Sequence, residues 1–402
     1  MSAVRHRPDH QTWLRSERIR LLDFARASVD PRGFAWLDRE GRPEPGRAPA
    51  LWITSRMTHS FALGALADVS GCEALADHGL AALTGPMHDP VIGGWFTSLE
   101  GPSGWSKSAY AHAFVILAAS SCVMAGRPGA EGLLDEALTV FTDRFWDDDA
   151  GMVVDEWDRD FTTLDPYRGL NANMHAVEAL AAAADALGDG RLRDMALRIV
   201  TRTVHHLAPA HHGRIPEHLD LEWRPLLDYN RGAPRHPFRP FGSTIGHSFE
   251  WARLTVQLGA SLGAAAPDWV VPDAAALFST ALADGWAVDG AEGFVYTVDW
   301  DGRPVVRERM HWVAAEAIAA AAALHEATED DAYDAWYATW WDHVVADVRD
   351  PEGGSWWHEL SPTNQPSATT WPGKPDVYHA LQATLIPFAP LAGSVAAGML
   401  RD

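Results

Sequence analysis

The sequence predicts an all-α chain folded as an (α/α)6 barrel with short β-hairpins at one rim. Three observations carry that expectation. Six nearly apolar, Ala-rich segments each hold a histidine near their start, at His59, His112, His175, His247, His311 and His379, spaced 53 to 72 residues apart. That interval holds two helices with their loops. Six further segments with apolar residues at helical spacing and charges on one side lie between them, and Gly-aromatic turns precede most of the histidine segments.

Taken in chain order, "ERIRLLDFARAS" reads as the first amphipathic, outer helix, and "RMTHSFALGAL" as the first inner one. "GCEALADHGLAAL", "GLLDEALTVFTDRFW", "RLRDMALRIVTRTVHHL", "DAAALFSTALADGW" and "DAYDAWYATWWDHVV" supply the other outer helices. They alternate with "SAYAHAFVILAAS", "NANMHAVEALAAAADAL", "TIGHSFEWARLTVQLG", "MHWVAAEAIAAAAAL" and "KPDVYHALQATLIP". These inner segments are apolar nearly all round, as a helix covered on both sides must be. The turns "GGWFTSLEGPSGW", "GMVVDEWDRDF", "GFVYTVDWDGRP" and "GGSWWHEL" combine glycine with aromatic and β-branched residues, which suits small hairpins. The irregular stretch from Leu227 to Gly242 has the length of a functional loop and is expected to arch over the barrel mouth. No Pro/Gly/Ser-rich linker divides the chain, so residues 1–402 are expected to form one domain.

Composition narrows the partners. The 402 residues are 47% hydrophobic and 21% charged, as in ordinary globular proteins, and the net charge of −22 repels nucleic acid and anionic membranes. The N-terminal stretch lacks a signal-like apolar core, and no apolar run approaches membrane-spanning length. With only Cys72 and Cys122, which read as small core residues, a cytoplasmic location is expected. The 19 tryptophans suit core filling and stacking on sugar faces, and the aromatic stretch Asp331 to Trp341 suits a homodimer as well as a monomer.

The histidines carry the chemistry. If the inner helices are parallel, six imidazoles surround one cavity, at helix N-termini whose dipoles disfavour imidazolium and leave neutral bases. Glu250 lies three residues after His247 and Glu178 three after His175, while Glu316 follows His311 by five. A carboxylate among Ala and Leu must meet a partner or a polar ligand, so Glu250 and Glu316 read as functional, and Glu178 suits function and structural pairing equally. Arg56 sits one turn before His59, and Arg239 lies in the irregular loop. A glycosidase needs two carboxylates about one bond, whereas repeated histidine suits proton transfer beside a carbonyl, the step of aldose–ketose isomerisation or epimerisation. P-loop and H-E-x-x-H motifs are absent, and "HHLAPAHH" follows an outer helix, a poor place for a metal site.

The segments "RMTHSF", "NANMHAVEAL", "HPFRPFGSTIGHSFEWARL", "HWVAAEAI" and "WPGKPDVYHALQA" together resemble the N-acylglucosamine 2-epimerase superfamily, and within it the mannose isomerase and sulfoquinovose isomerase branch. The resemblance runs over nearly the whole chain. It implies that His247 and His379 are the acid/base pair, His379 moving a proton between C2 and C1 through a cis-enediol and His247 assisting ring opening. It implies that Arg56, Tyr110, Asn171, His175, Glu250, Glu316 and Gln382 hold sugar hydroxyls, that Arg239 closes over them, and that Trp312 and Trp371 form walls. It further implies no metal and no other cofactor. The expected reaction is D-mannose to D-fructose, with D-lyxose to D-xylulose beside it. Alternatives are sulfoquinovose isomerisation, 2-epimerisation of the cellobiose or N-acylglucosamine type, an (α/α)6 glycosidase or lyase, and a non-catalytic carbohydrate-binding barrel.

Overall fold

Alternating apolar and one-sided segments become alternating inner and outer helices in the computed structural model, which describes residues 3–401. Residues 1, 2 and 402, the ends of the expected 1–402 domain, lie outside it. The barrel helices are α1 (Pro8–Ala25), α2 (Leu51–Leu66), α3 (Cys72–Thr84), α4 (Ala109–Met124), α5 (Ala130–Arg144), α6 (Leu170–Leu187), α7 (Gly190–Val200), α8 (Ile245–Leu262), α9 (Val270–Gly285), α10 (His311–Thr328), α11 (Asp331–His343) and α12 (Tyr378–Leu385).

The even-numbered helices form the inner ring. Each packs on the next in the order α2, α4, α6, α8, α10, α12, and α12 returns to α2. Ala, Gly and Ser at their flanks permit this crowding; in α4 every residue from Ala111 to Cys122 is buried. The odd-numbered helices cover the ring, α3 on α2, α5 on α4, α7 on α6, α9 on α8 and α11 on α10, while α1 supplies the cover for α12. A short C-terminal helix, α13 (Val395–Met399), packs on α2, α4 and α6 as a floor. The core is one continuous cluster running through both rings.

Two details of the outer ring depart from the sequence reading. The aromatic stretch on α11 is not an exposed patch: Tyr337, Trp340 and Trp341 are buried, because α1 and the core cover that face. The "HHLAPAHH" run continues α7 through a π-helical turn, where His205 Nδ1 meets Asp273 at 2.6 Å and its ring stacks on Trp269. Cys72 and Cys122 are free and buried, as expected. Among the described residues no helix is long and apolar enough to cross a membrane.

The rim is stitched by a repeated bond. No inner helix has a side-chain N-cap. Instead, the first N–H of five inner helices donates to a carbonyl in the following hairpin: Leu51 to Thr97, Ala109 to Asp155, Leu170 to Glu217, Ile245 to Tyr296 and His311 to His358. Two-residue strands pair beside these bonds, as Arg168–Gly169 does with His218–Leu219. The helix N–H groups that lack intrahelical partners are thereby satisfied, and each repeat is fixed to the next. Thr97, Asp155, Glu217, Tyr296 and His358 consequently occupy equivalent places around the mouth.

Candidate active site

Helical periodicity determines which side chains reach the barrel axis. Second and sixth residues of a helix share a face one turn apart, and in the inner helices these are Trp52 and Arg56, Tyr110 and Phe114, Asn171 and His175, Trp312 and Glu316, with Glu250 the sixth residue of α8. Above them the Leu227–Gly242 loop closes part of the mouth with Pro237, Phe238 and Pro240. The resulting pocket holds about 680 Å³ of empty space, mouth included.

Nine of the twelve residues expected at the site line this pocket: Arg56, Tyr110, Asn171, His175, His247, Glu250, Trp312, Trp371 and His379. Three do not. Glu316 and Gln382 lie buried behind the wall, Glu316 bonded to His379 and Arg253, and Gln382 directed to Glu178 at 3.4 Å. Arg239 projects away, its guanidinium 3.8 Å from the centre of the Tyr167 ring in a neighbouring cavity. Phe238 and Pro240, its neighbours in the same loop, line the pocket instead.

Two of the six histidines also leave the expected ring. His59 is the ninth residue of α2, too deep to reach the pocket, and meets Ser121 at 2.7 Å. His112 turns aside to bond the Ser108 carbonyl and accept the Trp95 N–H. A shared place near a helix start is therefore insufficient; the rotational phase decides.

The two candidate bases have parallel surroundings. His379 Nδ1 lies 2.8 Å from Glu316, and His247 Nδ1 lies 2.7 and 2.8 Å from the two Glu217 oxygens. With Nδ1–H donated to a carboxylate, Nε2 carries the free lone pair. Among the described residues neither Nε2 has a hydrogen-bond partner, and both rings line the pocket. Trp312 stands between them, its ring centre 5.1 Å from that of His247 and 5.6 Å from that of His379. Burial, reinforced by the charge of Arg56, holds His379 well below the ordinary histidine value of 6.5. Burial likewise brings His175 and His311 down to about 4. These rings are neutral chiefly because they are buried, with nearby cations adding to the effect.

Beneath the pocket, Arg253 is surrounded by carboxylates. Its Nε donates to Glu316 at 2.8 Å, and its Nη2 lies 3.6 Å from Glu250 and 3.8 Å from Glu178. Burial raises Glu178, but the hydrogen bond from His175 and the charge of Arg253 outweigh it and hold the group below the usual carboxylate range. Glu178 also accepts from Tyr378 Oη. Glu250 goes the other way: burial and the charge of Glu316 raise it well above that range, favouring the neutral acid. Both Glu250 oxygens lack a hydrogen-bond partner among the described residues although Glu250 lines the pocket, which leaves them open to a ligand hydroxyl. Arg56 is held by Tyr110 Oη at 3.0 Å and Asp376 at 3.5 Å.

Donor atoms of His175, Glu178 and Glu250, and of Glu250, Glu316 and His379, cluster within 4.8 Å. Such sets could chelate a divalent ion. The position between the carboxylates is already taken by the Arg253 guanidinium, and a second cation would meet its repulsion.

Glu217, Arg253, Asp376, His358, Tyr296 and Phe238 were not singled out in the sequence as site residues. Arg253 and Asp376 carry a signal there, one helical turn after Glu250 and three residues before His379. Glu217 carries none by spacing, since it lies on a loop 30 residues from its partner; alignment of the repeats would have placed it beside Tyr296 and His358.

A model of the N-acylglucosamine 2-epimerase family matches residues 33–383. A D-mannose isomerase from Thermobifida fusca is 51% identical, with 98% of each chain covered. Another from Pseudomonas cannabina pv. alisalensis is 49% identical, covering 98% of this chain and 96% of that one. A solved D-mannose isomerase superposes with a TM-score of 0.87 at 29% identity, covering 94% of this chain and 97% of the other. Cellobiose 2-epimerase from Spirochaeta thermophila, at TM-score 0.81 and 22% identity over 94% and 97% of the two chains, shares the fold.

Proposed function

The chain belongs to the N-acylglucosamine 2-epimerase family, and from that premise we propose that it interconverts D-mannose and D-fructose, with D-lyxose and D-xylulose as a side reaction. The observation that carries this reading is the pair of imidazoles, His247 and His379, each tied through Nδ1 to a buried carboxylate and flanking Trp312 in one pocket. The relatives at 49 and 51% identity, both D-mannose isomerases, support the choice of sugar. So does the charge of the wall: Arg56 is the only arginine or lysine lining the pocket among the described residues, and Asp376 and Tyr110 already engage it. A sulfonated sugar finds no unpaired cation there.

In this reading His247 exchanges protons at the ring and anomeric oxygens, giving the open-chain aldose. His379 Nε2 then takes the C2 proton; the C–H electrons form C1=C2 and O1 gains a proton, leaving a cis-enediol. Loss of the O2 proton makes the new carbonyl at C2 while His379 returns its proton to C1. One hydrogen has moved from C2 to C1 and one from O2 to O1, so no oxidant is needed. Glu316 and Glu217 orient the two rings, and the neutral Glu250 donates to a sugar hydroxyl. The whole barrel acts as one domain, since its site draws on all six inner helices.

The test is incubation with D-mannose in D2O containing EDTA, followed by NMR. Fructose labelled at C1 is expected, and His379→Ala should lose both turnover and exchange. Glucose as product would replace isomerisation by 2-epimerisation, and mannose left both unconverted and unlabelled would overturn the reading. His247→Ala should be far less harmful on an open-chain aldose than on a ring-closed one; equal losses would remove its ring-opening role.

A further inference from the structure

Helix α8 carries one stripe from the barrel mouth to its floor: His247, Glu250, Arg253 and Gln257, three to four residues apart. Gln257 ends it, about 15 Å below His247 at roughly 1.5 Å per helical residue. Neither Arg253 nor Gln257 lines the catalytic pocket. Gln257 instead helps to wall a separate cavity at the floor, about 300 Å³ with open solvent included, together with Arg5, Glu326 and Val395 of α13. Its carboxamide is nevertheless tied to the site. Arg253 Nη1 donates to Gln257 Oε1 at 2.9 Å, Arg253 Nε donates to Glu316 at 2.8 Å, and His379 Nδ1 lies 2.8 Å from the other Glu316 oxygen. Consecutive hydrogen bonds thus run from the floor to the base assigned to the C2 proton.

The guanidinium in the middle of this chain has competing partners. Its Nη2 has no hydrogen-bond partner among the described residues, yet lies 3.6 Å from Glu250 and 3.8 Å from Glu178. Rotation of the planar fork toward either carboxylate would draw Nε away from Glu316. Gln257 opposes that rotation by holding the fork at a second nitrogen, with a neutral acceptor that adds no fourth negative charge to the cluster. Gln257, Arg253, Glu316 and His379 are all buried, so a bond lost among them leaves an unsatisfied group that water does not readily repair. Glu316 depends on the arginine: burial raises its carboxyl above the ordinary value, and the charge and hydrogen bond of Arg253 limit the rise. A displaced or protonated Glu316 would no longer hold the Nδ1–H of His379, and the ring would be free to carry its proton on Nε2, where a base needs its lone pair.

We propose that Gln257 is a positioning residue for the proton-transfer base: it fixes the Arg253 guanidinium, which presents Glu316 to His379 Nδ1 and so leaves Nε2 free for the substrate. The proposal rests on the isomerase reading above and makes a residue of the barrel floor govern a ring at its mouth.

The experiment compares the native protein with Gln257→Leu, which keeps most of the side-chain volume but has no acceptor, with Glu316→Ala, and with the double variant. Three quantities are measured: kcat and KM on D-mannose, Tm, and the protonation of the two His379 ring nitrogens by NMR of 15N-histidine-labelled protein. The His379 signals are identified by their loss in His379→Ala. Gln257→Leu should lower kcat about 10-fold with KM within about 2-fold of native, and should move His379 away from the pure Nδ1–H form. In the Glu316→Ala background the same substitution should cost nothing further, because the two residues act along one chain. A native kcat, an unchanged His379 tautomer, or an equal loss in both backgrounds overturns the proposal; a fall in Tm alone is what a purely structural glutamine would show, and overturns it too. If the native protein leaves mannose unreacted, the isomerase reading fails separately. The positioning role is then judged from the tautomer: a shift in Gln257→Leu supports it, and an unchanged His379 pattern overturns it.

Discussion

At the scale of single residues, two carboxylates outside the proposed catalytic pair, His247 and His379, should control it. Glu217 and Glu316 each hold one imidazole tautomer, leaving Nε2 free for the substrate. General acid–base groups contribute roughly 10²–10⁴-fold, and a misoriented ring forfeits part of that. Glu217→Ala should therefore lower kcat on mannose by about 10²-fold with little change in KM, while Glu217→Gln, which can still accept the Nδ1 proton, should lose about 10-fold. Equal losses in the two variants would show that hydrogen-bond geometry is irrelevant there. The second expectation concerns pH. A base must be unprotonated to act, and His379 is held well below 6.5 by burial and then Arg56. The acid limb for C2 proton exchange on an open-chain aldose, which needs no ring opening, should consequently lie below pH 6.5. A limb at or above 6.5 in the pH–rate profile would contradict the assignment.

At the scale of elements, close approach of helices matters as much as their polarity. Gly246 is the second residue of α8, and a Cβ placed there would stand 2.2 Å from the Trp312 ring. Gly246→Ala should push Trp312 from between His247 and His379 and cut kcat at least about 10-fold with circular dichroism unchanged, because small displacements of positioning groups are costly. Gly79 makes a different contact, on α3 where that helix packs on α2: its Cβ would lie 1.9 Å from Thr58 Oγ1. Gly79→Ala should lower stability by about 1–3 kcal/mol, seen as a lower Tm, with kcat/KM near native well below the transition. An unchanged Tm would mean that the helices separate freely, against the packed interface.

At the scale of the whole molecule, the barrel buries many neutral imidazoles, and that sets its response to acid. Burial brings His59, His175 and His311 to about 4, and His112 to about 3, although each would titrate near 6.5 when unfolded. Between pH 6.5 and 4 the unfolded chain therefore binds more protons, and stability falls as pH falls. Asp155, raised to about 7 by burial, opposes this, since its folded state holds a proton from about pH 4 to 7. The lowered imidazoles, His358 and His379 among them, outnumber the raised carboxyls Asp155, Glu250 and Glu316, so Tm should drop markedly from pH 7 to pH 5. A flat Tm over that interval would exclude the imidazoles as the acid-sensitive groups.

Much of this molecule was legible in the chain. Alternation of all-apolar and one-sided segments is a local property, so it marked the inner and outer helices, and the motifs around His247 and His379 marked the candidate bases. Phase along a helix was also readable in principle, yet the common position of six histidines concealed that His59 and His112 point elsewhere. The tertiary structure alone decided the rest. Glu217 joins His247 because its hairpin, whose carbonyl caps the preceding inner helix α6, turns the Glu217 side chain toward the following one, α8, a contact with no sequence period. Glu316 meets His379 from behind the pocket wall, Arg239 faces a second cavity, and Arg253 fills the space between three carboxylates. The sequence by itself determined the helices and the kinds of groups they carry, because both follow from nearest-neighbour chemistry. Which of those groups share a proton or a wall depended on closing the ring, which brings together residues 200 and 320 positions apart, as it does Glu178 with Tyr378 and Arg56 with Asp376.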